Sequence, residues 1–254
     1  MASLAEPGQS RAVLVGVSSY QHLEVLNAVA NNLTDLAGEL TAENVWGLPA
    51  DNCVVVPDPK TASEMLDPLE FAAQAATDTL LFYFAGHGLA PLAGSNLYLA
   101  LPGSVKERMY TAVPYDHVRE AMLRSRASRR VVILDCCYSG LALGQMGDPT
   151  DVLANEASAV GTFVLAAAAE NRTAQAPAGW RNTAFTAELL ETIRHGIPDK
   201  GPLLELNTIY RHLDQSLRAK NLPRPQARDR NTGGEVALFR NQAYRPPVPR
   251  RALP

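Results

Sequence analysis

Cysteine is scarce in this chain, with three residues among 254. An odd number, two of them adjacent at Cys136 and Cys137, gives no disulfide framework. Neighbours on a strand point to opposite faces and cannot bridge each other. A reducing, cytoplasmic setting is therefore expected. Charge of one sign is also lacking: the net charge is −3, which argues against nucleic acid or an anionic membrane as the main partner. The basic cluster at Arg124–Arg130 reads as a solvated face and the Pro- and Arg-rich tail 244–254 as an unstructured end.

Long apolar runs are missing too. The longest, Thr79–Ala85 and Gly161–Ala169, are strand-length and far short of a membrane span, and Met1–Ser10 has no run of signal-peptide length. No glycine-rich dinucleotide fingerprint follows the first apolar run, and no Lys-Ser/Thr follows Gly233-Gly234, so that pair reads as a turn and not a phosphate loop. His22, His117, His195 and His212 have no paired metal-ligand spacing. No cofactor and no metal are expected.

What is present is an alternation of short apolar runs with amphipathic stretches. Hydrophobic residues make up 46% of the chain, enough to bury a core without staples. Ala12–Val17, Cys53–Val56, Thr79–Ala85, Arg130–Cys136 and Thr162–Ala168 read as strands covered on both faces. A short edge strand or hairpin is expected at Asn96–Leu101, and a last strand at Glu235–Phe239. Helices are expected from after Glu24 to Leu40, from Thr61 to Ala76 with Pro68 kinking or splitting it, from Pro114 to Leu123, and over 183–194 and 206–219. This order implies an α/β fold: a mostly parallel six-stranded sheet with helices on both faces, in a single domain over 1–243. The aperiodic stretch 141–160 reads as a functional or mobile loop between the halves 11–140 and 161–240.

Two motifs stand at the C-terminal ends of buried strands, where sites form in parallel sheets. In TLLFYFAGHGLA (79–90) a strand delivers His87 between two glycines, with no side chain alongside to block a ligand. Histidine exchanges protons near neutral pH; the plainer alternative is a histidine that only hydrogen-bonds within its loop. In VVILDCCYSGLA (131–142) a strand ends in Asp135-Cys136-Cys137. Cys136 lies within the strand and reads as a buried small hydrophobe. Cys137 can reach the crevice and attack a carbonyl carbon, with N–H groups of the Tyr138-Ser139-Gly140 turn available to an oxyanion.

The two motifs lie 50 residues apart, the separation of His and Cys in caspases. Paired in this way, Gly86-His87-Gly88 and Asp135-Cys136-Cys137-Tyr138-Ser139-Gly140 resemble the caspase–metacaspase superfamily. They stand nearer to its bacterial caspase-like peptidases and metacaspases than to animal caspases, whose nucleophile motif runs Gln-Ala-Cys-x-Gly. The resemblance covers Arg11–Gly140 well and 161–239 more weakly, around Phe185-Thr186. It implies a caspase-like three-layer sandwich and a cysteine endopeptidase. Cys137, the cysteine three before the glycine, is then the nucleophile and His87 its proton-transfer partner, with backbone N–H groups of Gly88 and Cys137 as oxyanion donors. No third catalytic member is named.

The resemblance further implies that Asp135 lines a substrate pocket for Arg or Lys before the scissile bond. A second pocket carboxylate, usual in metacaspases, is absent, because Asn31-Asn32-Leu33 stands in its place. Asp35 lies one turn on and reads by default as a solvated helix residue. Basic specificity is favoured, with small or apolar specificity left open. A protein or peptide substrate is implied, and the enzyme is expected either to work as a single chain or to be switched on by an activating protein partner. The stretch 141–161 has no Lys or Arg for self-cleavage; Arg172 and Arg181 are the next basic sites. The rival readings are an inactive scaffold and another doubly wound thiol hydrolase or transferase.

Overall fold

The computed structural model describes residues 3–91, 96–137, 162–167, 177, 179–230 and 233–246. The expected loop 141–160, the Tyr138-Ser139-Gly140 turn and the end of the tail lie outside these.

Three apolar runs form the centre of a six-stranded sheet: β1 (Arg11–Gly16), β3 (Thr79–Gly86) and β7 (Arg129–Cys136). β3 is buried along its whole length, as a strand sandwiched between helix layers must be. β2 (Cys53–Pro57) closes one edge and β8 (Thr162–Ala166) extends the other. These five strands run parallel, and β10 (Gln226–Arg230) pairs antiparallel with β8 at the far edge. The strand order is β10-β8-β7-β3-β1-β2.

Alternation of side chains along each strand gives the sheet two apolar faces. Leu14, Leu81, Tyr83, Ile133 and Leu165 pack under α1 (Ala28–Thr41), α4 (Ala184–His195) and α5 (Leu206–Ala219). Val13, Phe82, Phe84, Val132 and Leu134 pack under α2 (Ala62–Ala75) and α3 (Tyr115–Arg124). The result is the expected three-layer sandwich. Thr61 starts α2 by accepting the Glu64 N–H, as an N-cap does.

Three expectations are corrected. The sixth strand is Gln226–Arg230, not Glu235–Phe239; the later segment forms β11 (Ala237–Arg240), which pairs with β9 (Leu203–Glu205) in a separate two-stranded sheet. Gln-Ala-Arg-Asp-Arg has no apolar alternation to betray it, because an edge strand is held largely by ladder hydrogen bonds and favours charge. Pro68 does not split α2, which runs unbroken through it. The first helix begins at Ala28, several residues later than its hydrophobic spacing suggests, so Ser18–Asn27 is a loop above the strand ends. Where a short edge strand or hairpin is expected, at Asn96–Leu101, the short strand β5 (Tyr98–Leu99) forms, the middle strand of a three-stranded sheet with β4 (Gly88–Leu89) and β6 (Val113–Pro114).

Candidate active site

Register brings the two motifs together. β3 and β7 are neighbours, and their pairing ends with Ala85 opposite Asp135 and Gly86 opposite Cys136. His87 and Cys137 are the next residues, so they leave adjacent parallel strands side by side. Both are largely covered, at 9% and 8% exposure.

Glycine is required on each side of His87 by close approach. A Cβ on Gly88 would lie 1.9 Å from the Cys137 carbonyl oxygen, far inside any contact distance. A Cβ on Gly86 would lie 2.7 Å from the Tyr20 hydroxyl and 3.0 Å from the Phe84 ring. The Gly-His-Gly pattern thus lets the histidine turn press against both the cysteine backbone and the loop after β1.

That loop orients the imidazole. His87 Nε2 lies 2.8 Å from the Glu24 carbonyl oxygen. A carbonyl only accepts, so Nε2 carries a hydrogen, and in the neutral imidazole the lone pair is then on Nδ1. The His87 backbone N–H donates to the Tyr20 hydroxyl at 2.8 Å, and the Tyr20 ring stands edge-on to the imidazole with centroids 4.7 Å apart.

Neighbouring thiols differ in setting. Cys136 points into the α2/α3 layer. Burial, then the charges of Cys137 and Asp135, push its thiol well up, so it stays protonated and a poor nucleophile. Cys53 is half-buried, and burial pushes it to about 11.

Asp135 points to the opposite layer, 1% exposed. The hydroxyls of Thr183 and Thr186 donate to its Oδ2, the latter at 2.6 Å. Thr183 is the N-cap residue of α4 but makes no side-chain cap of its own. Its hydroxyl is turned to Asp135 instead. Behind the threonines the donors are ordered. Thr183 Oγ1 accepts from Asn32 Nδ2 at 2.8 Å, and Thr186 Oγ1, already donating to Asp135, accepts from Tyr83 Oη at 2.7 Å. Burial pushes the Asp135 carboxyl up, and the Thr183 and Thr186 bonds pull it part of the way back.

Asn32 therefore joins the Asp135 network from the position where a second carboxylate was sought. Asp35 does not join it. Its carboxylate holds Arg181 through two bonds, 2.8 and 2.9 Å, and Asn182 at 3.0 Å. The Arg181 guanidinium holds the Asp35 carboxyl below the usual range. Of these residues, sequence reading singled out His87, Cys137, Gly88 and Asp135. It missed Tyr20, the Glu24 carbonyl, Thr183 and Tyr83 as parts of the site. One available signal was Thr183 itself, a good capping residue before a helix.

Among the described residues no helix is long and apolar enough to cross a membrane, and no group of three or more His, Cys, Asp or Glu side chains could hold a metal ion. Two solved structures share the fold at low identity. Caspase-1 from Spodoptera frugiperda is 12% identical with a TM-score of 0.60, the match covering 93% of this chain and 90% of that one. A protein from Geobacter sulfurreducens is 15% identical with a TM-score of 0.58, the match covering 91% and 99%. No curated protein sequence matches the chain. The family model described as the caspase domain matches residues 9–235. Nearly the whole described chain thus falls within one family model, and the protein belongs to the caspase-domain family of cysteine-type peptidases.

Proposed function

We propose that the protein is a cysteine endopeptidase acting through a His87–Cys137 dyad, with preference for Arg or Lys before the scissile bond. The observation that carries this reading is the β3–β7 register, which sets the two residues side by side beneath glycines. The Cys137 thiol gives its proton to His87 Nδ1 as Sγ attacks the peptide carbonyl carbon. Backbone N–H groups of Gly88 and Cys137 stabilise the oxyanion. The intermediate collapses to a thioester as Nδ1–H protonates the departing amine. Water then attacks the thioester, its proton passing to Nδ1, and the acid leaves as Cys137 is restored. Glu24 keeps the imidazole in the tautomer these steps need.

Asp135 serves as the acidic group of the substrate pocket, where a guanidinium or ammonium would meet a desolvated carboxylate. The test is a set of fluorogenic peptides that differ at the residue before the cleaved bond. Wild type is expected to cut after Arg and Lys. Asp135→Asn, which removes the charge and keeps an acceptor oxygen for the threonine hydroxyls, is expected to lose about a hundredfold or more on those peptides. Cleavage after small or apolar residues instead would keep the protease and discard the pocket. Silence together with no labelling by a peptidyl ketone would favour a scaffold.

Self-cleavage at the nearby Arg181 does not switch the enzyme on; it works either as a single chain or under a protein partner. The Arg181 guanidinium is held by Asp35 and its carbonyl oxygen accepts from Asn31 Nδ2 at 2.8 Å. Intact mass after prolonged incubation is expected to show no cut between Arg181 and Asn182; such a cut would count against this protection.

A further inference from the structure

We infer that Tyr20 is a positioning residue for His87, holding the histidine turn from the loop after β1 through its hydroxyl and its ring. This inference rests on the dyad reading. A histidine between two glycines has little side-chain bulk nearby to fix its backbone, so the angle of its imidazole must be set from outside the turn. Two groups do so, Tyr20 at the backbone N–H and the Glu24 carbonyl at Nε2, and both belong to the loop Ser18–Asn27. Among the described residues, the His87 N–H is the one hydrogen-bond partner of the Tyr20 hydroxyl. Burial pushes the phenol far up, so it stays neutral.

The loop itself is clamped. Asp58, just after β2, accepts from Ser18 N–H at 2.7 Å, Ser19 N–H at 3.0 Å and the Ser18 hydroxyl at 3.0 Å. Leu26 N–H closes the loop onto the Ser18 carbonyl at 2.8 Å, and Gln21 N–H ties it to Pro102. The chain of contacts therefore runs from the β2 edge to the imidazole: Asp58, then Ser18 and Ser19, then Tyr20 and Glu24, then His87.

The test compares wild type with Tyr20→Phe, Asp58→Gly and His87→Ala in the full chain. Phenylalanine keeps the ring and removes the acceptor; glycine suits the positive φ of 46° at position 58 and removes the clamp. The first readout needs no substrate: the rate at which iodoacetamide alkylates Cys137, told apart from Cys136 by fragment ions of their shared peptide, reports how well the imidazole takes the thiol proton. The second is kcat per active site, counted by titration with a peptidyl ketone. Tyr20→Phe is expected to slow both about fivefold with KM unchanged, as loss of one hydrogen bond implies. Asp58→Gly is expected to act in the same direction, and so covers the case of poor folding in Tyr20→Phe. Wild-type alkylation and kcat in both variants, with His87→Ala slow, would overturn the inference and leave the dyad standing. Fewer titrated sites with unchanged kcat would also overturn it, since that marks a purely structural role. His87→Ala alkylating at the wild-type rate would overturn the dyad and the inference together.

Discussion

Cys137→Ala is expected to lower peptide hydrolysis by about 10⁴-fold or more, while Cys136→Ala keeps most of the activity. The difference follows from one step along the chain. Cys136 is the last residue of β7 and faces the α2/α3 layer, where burial keeps its thiol protonated. Cys137 has just left the sheet beside His87. Alanine at 136 removes only a small sulfur from an apolar layer, a change of the large-to-small kind that costs about 1 kcal/mol of stability. The measurement is kcat/KM for one peptide substrate across the three proteins, with melting temperatures alongside. Loss of activity in Cys136→Ala with a wild-type melting temperature, and retention in Cys137→Ala, would reverse the assignment.

Gly88→Ala is expected to be damaging in two ways. The new methyl would stand 1.9 Å from the Cys137 carbonyl oxygen. That neighbour is backbone, which cannot rotate aside as a long side chain can. The ends of β3 and β7 must separate, at a cost of about 1–3 kcal/mol, the usual range for overpacking. A shift of about 1 Å between reacting groups lowers rates about 10²-fold, so activity should fall further than the melting temperature suggests. Gly103→Ala is the control, because nothing lies within 4 Å of a Cβ there. A Gly88→Ala protein with wild-type kcat/KM would mean that His87 and Cys137 tolerate being moved apart.

The parts of this fold that could be read from the sequence are those driven by burial. β1, β3 and β7 announce themselves as Val- and Leu-rich runs because both faces of each lie under helices. β10 gives no such sign, since its residues pair at an edge where apolar character is not needed. Pro68 does not split α2, since a proline can be carried within a helix when packing holds the rest of the segment. In the site, His87 and Cys137 were legible through their glycines and strand ends. The groups that orient them were not, because each is joined across a long stretch of chain. Tyr20 meets His87 across 67 residues, Thr183 meets Asp135 across 48, and Asn32 meets Thr183 across 151. No local spacing encodes such partners; they exist only once the sheet order does.

Asp135 also stitches β7 to the start of α4. Asp135 sits at the end of β7 and its donors at the start of a helix nearly fifty residues later, while β7 and β8 pair in parallel along five residues of each. The peptide linkage between those strands is therefore not what keeps them together. A break in the connecting stretch would leave the seam closed by ladder bonds, a shared apolar layer and the Asp135 side chain held between two threonines.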